Sequence, residues 1–200
     1  MEGMWTVCLP SFQKAMEWVK AGYIGEVLHA EAGFGHAAAR DFSQRHFNPE
    51  LGGGVMKDIG IYPLALFMKL FGYGAEIQSS GIRMANGVDA QVAFQGLNRD
   101  KNASFQGLVS FLGALESAAS ISGSKGRIVF EPQWFRAVDV RLEIPGSAPE
   151  IFSGRADGFG FHYEANEVER CVRAGLIESP LWTHADSLEA ARLISLAENF

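Results

Sequence analysis

Between residues 76 and 144 the chain reads as a run of short alternating segments joined by connections too brief for a helical crossover. Strand-like stretches cover 88–97, 104–112, 117–122, 127–131 and 138–144, with Gly123-Ser124-Lys125-Gly126 as a clear turn between two of them. Short connections impose antiparallel pairing, because a parallel neighbour needs a crossover of a dozen or more residues. Helical patterns flank this region. One is expected over 11–21, with Phe12, Ala15, Met16 and Val19 on one stripe and Gly22 as its cap. A strand is expected over 27–34, with Leu28, Ala30, Ala32 and Phe34 on one side and His29 and Glu31 on the other. Residues 35–54 read as a polar loop. Val55, Met56, Ile59, Tyr62, Phe67 and Leu70 then give helical spacing up to Gly72, and Pro63 divides it into two pieces meeting near Tyr62. Two helices close the chain. The first, 161–174, has Ala165, Val168 and Val172 expected inward; the second follows Thr183 or Asp186 and is expected to bury Leu188, Ala191, Leu193 and Leu196. With no internal repeat and no linker, the pattern is that of one α+β domain.

Two hundred residues is the length of one domain, or of one domain and a fragment. Hydrophobic residues are 48% and charged residues 20% of the chain, enough to bury a core and unlike a disordered segment. No apolar run reaches the ~18 residues of a membrane span. Seventeen basic against 23 acidic side chains leave a net charge of −6 with no Lys/Arg cluster, a poor basis for holding phosphates, so no nucleic-acid partner is expected. Met1 to Pro10 lack the basic start and long apolar stretch of a secretory signal, and two cysteines, Cys8 and Cys171, make neither a disulfide framework nor a metal-ligand spacing. A cytoplasmic, soluble protein is the expectation. Twenty-three glycines and 15 phenylalanines predict many turns and a broad apolar sheet surface that needs helices, another subunit or a ligand to cover it.

Few motifs carry chemistry. Gly33-Phe34-Gly35-His36-Ala37-Ala38 fits a G-x-G-x-x-A nucleotide fingerprint, but the polar Ala39-Arg40-Asp41-Phe42-Ser43-Gln44 that follows is no helix whose N-terminus could hold a pyrophosphate. Gly52-Gly53-Gly54 lacks the Lys-Ser/Thr of a phosphate loop and reads as a flexible lead into a helix or as backbone lying close to a ligand. The five histidines show no i, i+4 pair, so no metal site is expected. Asp58-Ile59-Gly60-Ile61-Tyr62 stands out, because a carboxylate and a phenol four residues apart share one side of a helix. Two readings stand on spacing alone. Either Tyr62 gives a proton to a developing alkoxide, for which its ordinary pKa near ~10 needs a neighbouring cation, or Asp58 caps backbone while Tyr62 packs.

An ordered set of short stretches resolves the wider question. Glu2-Gly3-Met4-Trp5 with Leu9-Pro10, Gly25-Glu26-Val27 leading to Phe34-Gly35, and Pro49-Glu50-Leu51-Gly52-Gly53-Gly54-Val55-Met56-Lys57-Asp58-Ile59-Gly60-Ile61-Tyr62-Pro63 come first. Gly123-Ser124-Lys125-Gly126, Gly158-Phe159-Gly160-Phe161-His162-Tyr163-Glu164-Ala165 and Glu178-Ser179-Pro180 follow. In this order and spacing, nearly the whole chain resembles the Gfo/Idh/MocA oxidoreductases, most closely their dihydrodiol dehydrogenase-like branch. The resemblance implies an open, mainly antiparallel sheet with helices on one face, the family's C-terminal domain, without the Rossmann domain that holds NAD or NADP. Residues 1–10 then stand as a remnant of that domain's end, and 11–200 as the domain for substrate binding and oligomerisation. It further implies a small-molecule substrate of sugar or dihydrodiol type, a homo-oligomer paired through the sheet face, and no cofactor held by this chain alone. The family's catalytic lysine also belongs upstream. Asp58 and Tyr62 match the family's D-x-x-x-H/Y pair, tyrosine pointing to a less polar substrate than histidine does, while Lys57 departs from the apolar residue common before the aspartate. Trp5, Phe34 and Phe161 match aromatic walls of the substrate pocket, or else core positions. A non-catalytic binding or dimer-forming module is the alternative function.

Overall fold

The structure, a computed structural model, describes residues 2–98, 100 and 102–200. A short 3-10 turn, Trp5–Cys8, leads into helix α1, Pro10–Lys20. Pro10 occupies the first position, where its missing N–H has no helical acceptor to lose. Helix α1 buries Ser11, Phe12, Ala15 and Trp18, so Trp18 takes the inward place and Met16 and Val19 sit half-buried beside it. Strand β1, Val27–Gly35, follows, then a long loop holding one 3-10 turn, Pro49–Leu51. The helical region predicted up to Gly72 is in two pieces: a π-helical turn, Met56–Gly60, and helix α2, Ile61–Phe71. Their junction lies where Pro63 lacks the N–H that would bond back to Ile59.

Strands β2 (Glu76–Arg83), β3 (Asp89–Asn98), β4 (Ala103–Ser110), β5 (Ala119–Gly123), β6 (Arg127–Phe130), β7 (Val140–Glu143) and β8 (Glu150–Phe152) come next. Helices α3 (His162–Arg173) and α4 (His184–Ala197) complete the chain. Among the described residues one sheet forms, in the order β2-β3-β4-β1-β5-β6-β7-β8. Every neighbour joined by a short connection pairs antiparallel. The exception is β1, which enters between β4 and β5 and runs parallel to β4, from His29 opposite Ser104 to Gly35 opposite Ser110. The loop, α2 and two strands between them supply the crossover such a pair demands. Edge strands β2 and β8 lay outside the predicted segments. Both are largely exposed, so neither carries the alternation that marks a half-buried strand.

Helices α1, α2 and α4 cover one face of the sheet. Strand β4 shows the division: Ala103, Phe105 and Val109 point into the core, Gln106 and Leu108 outward. The abundant glycine and phenylalanine turn out to be one feature. A Cβ on Gly96 would stand 2.5 Å from the Phe67 ring, and one on Gly107 would run into Phe94, so strand glycines make room for rings lying flat on the sheet. Aromatic side chains therefore line the covered face. They form the broad apolar sheet surface, covered here by helices, while the open face presents Gln78, Gln95, Gln106, Glu31, Ser120 and Leu108 around a shallow trough of about 910 Å³.

Two helix faces also differ from expectation. Helix α3 buries Glu167 and Cys171 and turns Val168 and Val172 outward, 44% and 71% exposed. Helix α4 buries Asp186, Ala190, Leu193 and Ala197 and leaves Leu188 74% exposed. In both, a carboxylate with built partners occupies the inward position. Glu167 accepts two hydrogen bonds from Arg170 (2.7 and 2.8 Å) and one from the Ser179 hydroxyl (2.5 Å). Asp186 closes the capping box with Thr183 and meets Lys69 Nζ at 3.0 Å. Paired charge has displaced apolar periodicity as the determinant of which face turns in.

Candidate functional site

Tyr62 sits in the first turn of α2, half-buried, with its phenol oxygen accepting a hydrogen bond from Trp5 Nε1 at 2.9 Å. The fold gathers the other three predicted aromatic residues into one cluster with Tyr62. Phe34, at the end of β1, lies 5.2 Å from the Tyr62 ring, and Trp5 lies 6.3 Å from it, both edge-on. Phe161, just before α3, packs on Trp5 at 4.6 Å and is 51% exposed, so it forms the outer lip. Phe135, which the motifs did not single out, stacks on Phe34 at 3.7 Å and sits 5.7 Å from Tyr62. Phe159 extends the wall beyond Phe161, under the Arg136 guanidinium at 4.3 Å. Phe135 and Phe159 lie in segments without regular structure, where no periodicity marks an inward residue.

Asp58 lies in the π-helical turn one turn before Tyr62. Each side chain has its own partner. Arg45 grips Asp58 through two nitrogens, at 2.6 and 3.3 Å, and His46 Nε2 stands 3.8 Å from the same carboxylate. Nothing in the sequence pattern foretold these loop residues, whose only signal is charge within a polar stretch. The glycines before the helix explain how they come so close. A Cβ on Gly53 would meet the Arg45 and Asn48 carbonyl oxygens at 2.8 and 2.7 Å, and Gly54 N bonds to His46 O at 3.1 Å. The Gly52-Gly53-Gly54 backbone therefore lies against the chain's own loop. Asp89, buried at the start of β3, bonds Met56 N at 2.8 Å and holds the helix start in place.

The electrostatics keep the phenol protonated at neutral pH. Burial pushes the Tyr62 pKa up, the Trp5 hydrogen bond draws it back, and the carboxylates Asp58 and Glu164 add to the rise. Glu164 has an oxygen buried without a hydrogen-bond partner, and burial holds its own pKa above the usual carboxylate value. His36 beside Phe34 is pushed down by burial first and then by His46, 5.9 Å away ring to ring. A neutral phenol at an aromatic wall can donate a proton; to accept one at neutral pH it needs a cation close by.

Among the described residues, no three His, Cys, Asp or Glu side chains gather to hold a metal. The Gly33–Ala38 stretch does not fit a nucleotide. Gly33 is a sheet residue opposite Leu108, its carbonyl accepts from Trp134 Nε1 at 2.9 Å, and irregular chain rather than a helix follows His36.

The sequence pattern of the GFO/IDH/MocA C-terminal domain matches residues 12–129. The chain is 31% identical over 98% of its length to trans-1,2-dihydrobenzene-1,2-diol dehydrogenase of Danio rerio, covering 60% of that protein. It is 28% identical to the D-xylose 1-dehydrogenase (NADP(+)) of Hypocrea jecorina, over 90% of this chain and 54% of that one. Its fold superposes on KijD10, a 3-ketoreductase from Actinomadura kijaniata solved with NADP, with a TM-score of 0.79 at 22% identity, over 97% of this chain and 59% of that one. The chain thus spans 54–60% of the length of these relatives. With the mixed sheet, the helix-covered face, the aspartate within a π turn and the tyrosine just after it all in place, this chain belongs to the GFO/IDH/MocA oxidoreductase family, by its C-terminal domain and in the branch that resembles dihydrodiol dehydrogenases.

Proposed function

We propose that the chain is the substrate-binding and subunit-pairing part of an NAD(P)-dependent oxidoreductase acting on a hydroxyl or carbonyl of a sugar- or dihydrodiol-like molecule. The observation that carries this reading is the Trp5 Nε1 to Tyr62 Oη hydrogen bond of 2.9 Å inside an aromatic enclosure, with Asp58 one turn away. Tyr62 is the catalytic residue, exchanging a proton with the substrate oxygen. Its raised pKa keeps it in the protonated form that can donate to a carbonyl, and the Trp5 N–H supports the phenolate that donation leaves. Asp58 orients the pair. Trp5, Phe34 and Phe161 form walls that favour a weakly polar ring and exclude water. Hydride exchange is the chemistry a nicotinamide supplies, and no cradle for its phosphates lies in residues 33–38. The cofactor therefore belongs to the part of the relatives that this chain does not span, and none is bound by this chain alone.

The open sheet face, on the far side from α2, is the surface for a second copy of the chain. No helix among the described residues is long and apolar enough to cross a membrane. Both cysteines are free and buried, which fits the reducing cytoplasm. The test is turnover after joining this chain to the remainder of the NADP-bound 3-ketoreductase. Tyr62→Phe should lower kcat by ~10²-fold or more, the usual worth of a positioned acid or base. Unchanged turnover would remove Tyr62 from the chemistry.

A further inference from the structure

The loop between β1 and the π turn does more than connect them. Phe47 is fully buried, its carbonyl accepts from Asn86 Nδ2 at 2.6 Å, and the neighbouring His46 carbonyl accepts from Gly54 N at 3.1 Å. Gly53 N bonds Asn48 O at 2.8 Å. Arg45 and His46 are thus mounted on a turn that is anchored to the start of the helix bearing Asp58 and Tyr62. An exposed ion pair on free side chains contributes little. This one has a two-nitrogen grip from a fixed mount, with the Asp58 side chain 23% and the Arg45 side chain 63% exposed, so its work is in placing the carboxylate more than in stability.

We infer that Arg45 and His46 are positioning residues for the Asp58–Tyr62 pair, holding the carboxylate one turn ahead of the phenol and offsetting its charge. The inference rests on the proposed role of Tyr62 in proton exchange. Tyr62 faces Asp58 from its own helix, Glu164 from α3 and the Trp5 N–H from the first turn; Asp58 faces Arg45 and His46 from the loop and His36 from the end of β1. Asp58 raises the phenol's pKa, and the Arg45 guanidinium, bonded to that same carboxylate, is placed to counter it. The loop thereby sets how readily Tyr62 releases its proton.

The experiment is a pH titration of the full 200-residue chain by NMR, with labelled tyrosine and histidine rings and Tyr62→Phe to assign the phenol. Arg45→Gln should raise the Tyr62 midpoint by ~0.5 pH unit or more, the scale of one unit charge acting across a partly exposed site. Asp58→Asn should lower it. In the Asp58→Asn background, Arg45→Gln should have less than half its effect, because the guanidinium has lost its tether. Arg45→Lys should restore part of the shift. His36 gives the same answer at neutral pH, should the chain unfold before the phenol titrates. Arg45 lowers its pKa and Asp58 raises it, so Arg45→Gln should move its midpoint up and Asp58→Asn down. A Tyr62 or His36 midpoint untouched by Arg45→Gln overturns the inference, as does an equal shift with and without Asp58. Its failure is separable from that of the proton-exchange role, because the titration needs no turnover and the Tyr62→Phe turnover test needs no titration.

Discussion

Glu167 offers a direct measure of how far paired charge holds this fold together. Its carboxyl accepts from Arg170 and Ser179 and has Cys171 Sγ at 3.3 Å, and these contacts hold its pKa at about 2 rather than the usual 4.5, against the cost of burial. At ~1.4 kcal/mol for each tenfold step, that depression corresponds to ~3.4 kcal/mol as an upper bound. Arg170 is 51% exposed, so water screens its share, and ~1–2 kcal/mol is the expected net worth. The sign follows from linkage. A carboxyl with a depressed native pKa contributes fully above its unfolded value near 4.5, and the contribution fades as pH falls towards about 2. Glu167→Gln keeps the shape and removes the charge. At pH 7 it should lower Tm by ~2–8 °C, using ~2–4 °C per kcal/mol for a chain of this size. Thermal unfolding of both proteins across the acid range supplies the check, with the difference between them shrinking steadily below the unfolded pKa. Equal stability at neutral pH, or a gap that persists undiminished into acid, refutes the reasoning.

Other residues give simpler expectations. Gly96→Ala should cost ~1–3 kcal/mol in urea unfolding, since the new methyl meets the Phe67 ring and that side chain is fully buried. Cys8, its thiol pushed up to about 12 by burial first and by neighbouring acids, should resist alkylation in the native chain at pH 8 and react only on unfolding. Trp5→Phe removes the donor to Tyr62 and should move the phenol's midpoint still higher, read as tyrosinate absorbance against pH. Asp89→Ala, unlike Leu188→Ala on the exposed face of α4, should destabilise by ~1–2 kcal/mol through the lost helix cap.

Local pattern carried the fold unevenly, and the unevenness has a physical origin. Segments half-buried against the helices, β3 and β4 above all, alternate strongly because one side of each meets the core. Edge strands β2 and β8 have little core to meet and so leave little trace. Helices α3 and α4 misled for the opposite reason, their inward faces being set by Glu167 and Asp186 and their partners. A buried carboxylate is costly alone and stable once surrounded, and the partners arrive from Ser179, Lys69 and Thr183, beyond the reach of any helical period. The parallel placement of β1 is likewise decided by a crossover through α2, not by β1 itself.

The same logic separates the legible half of the candidate site from the illegible half. Asp58 and Tyr62 stand four apart on one helical track, so spacing alone could pair them. Trp5, Phe34 and Phe161 come from a 3-10 turn, the end of a strand and a helix start, and only a resemblance spanning the whole chain could gather them. Arg45 and His46 belong to no element and to none of the motifs that carry that resemblance. They reach Asp58 because Gly53 lets two backbones touch, a relation in which the glycine is the visible sign and the charged residues the consequence. Gly53→Ala tests this chain of cause. Its Cβ would press on the Arg45 and Asn48 carbonyls, displacing the turn that carries Arg45 while leaving Asp58 and Tyr62 chemically intact. The Tyr62 midpoint should then rise as it does in Arg45→Gln, and adding Arg45→Gln should raise it little further. Full additivity of the two substitutions would show that the glycine and the arginine act separately, and the loop would lose its claim on the phenol.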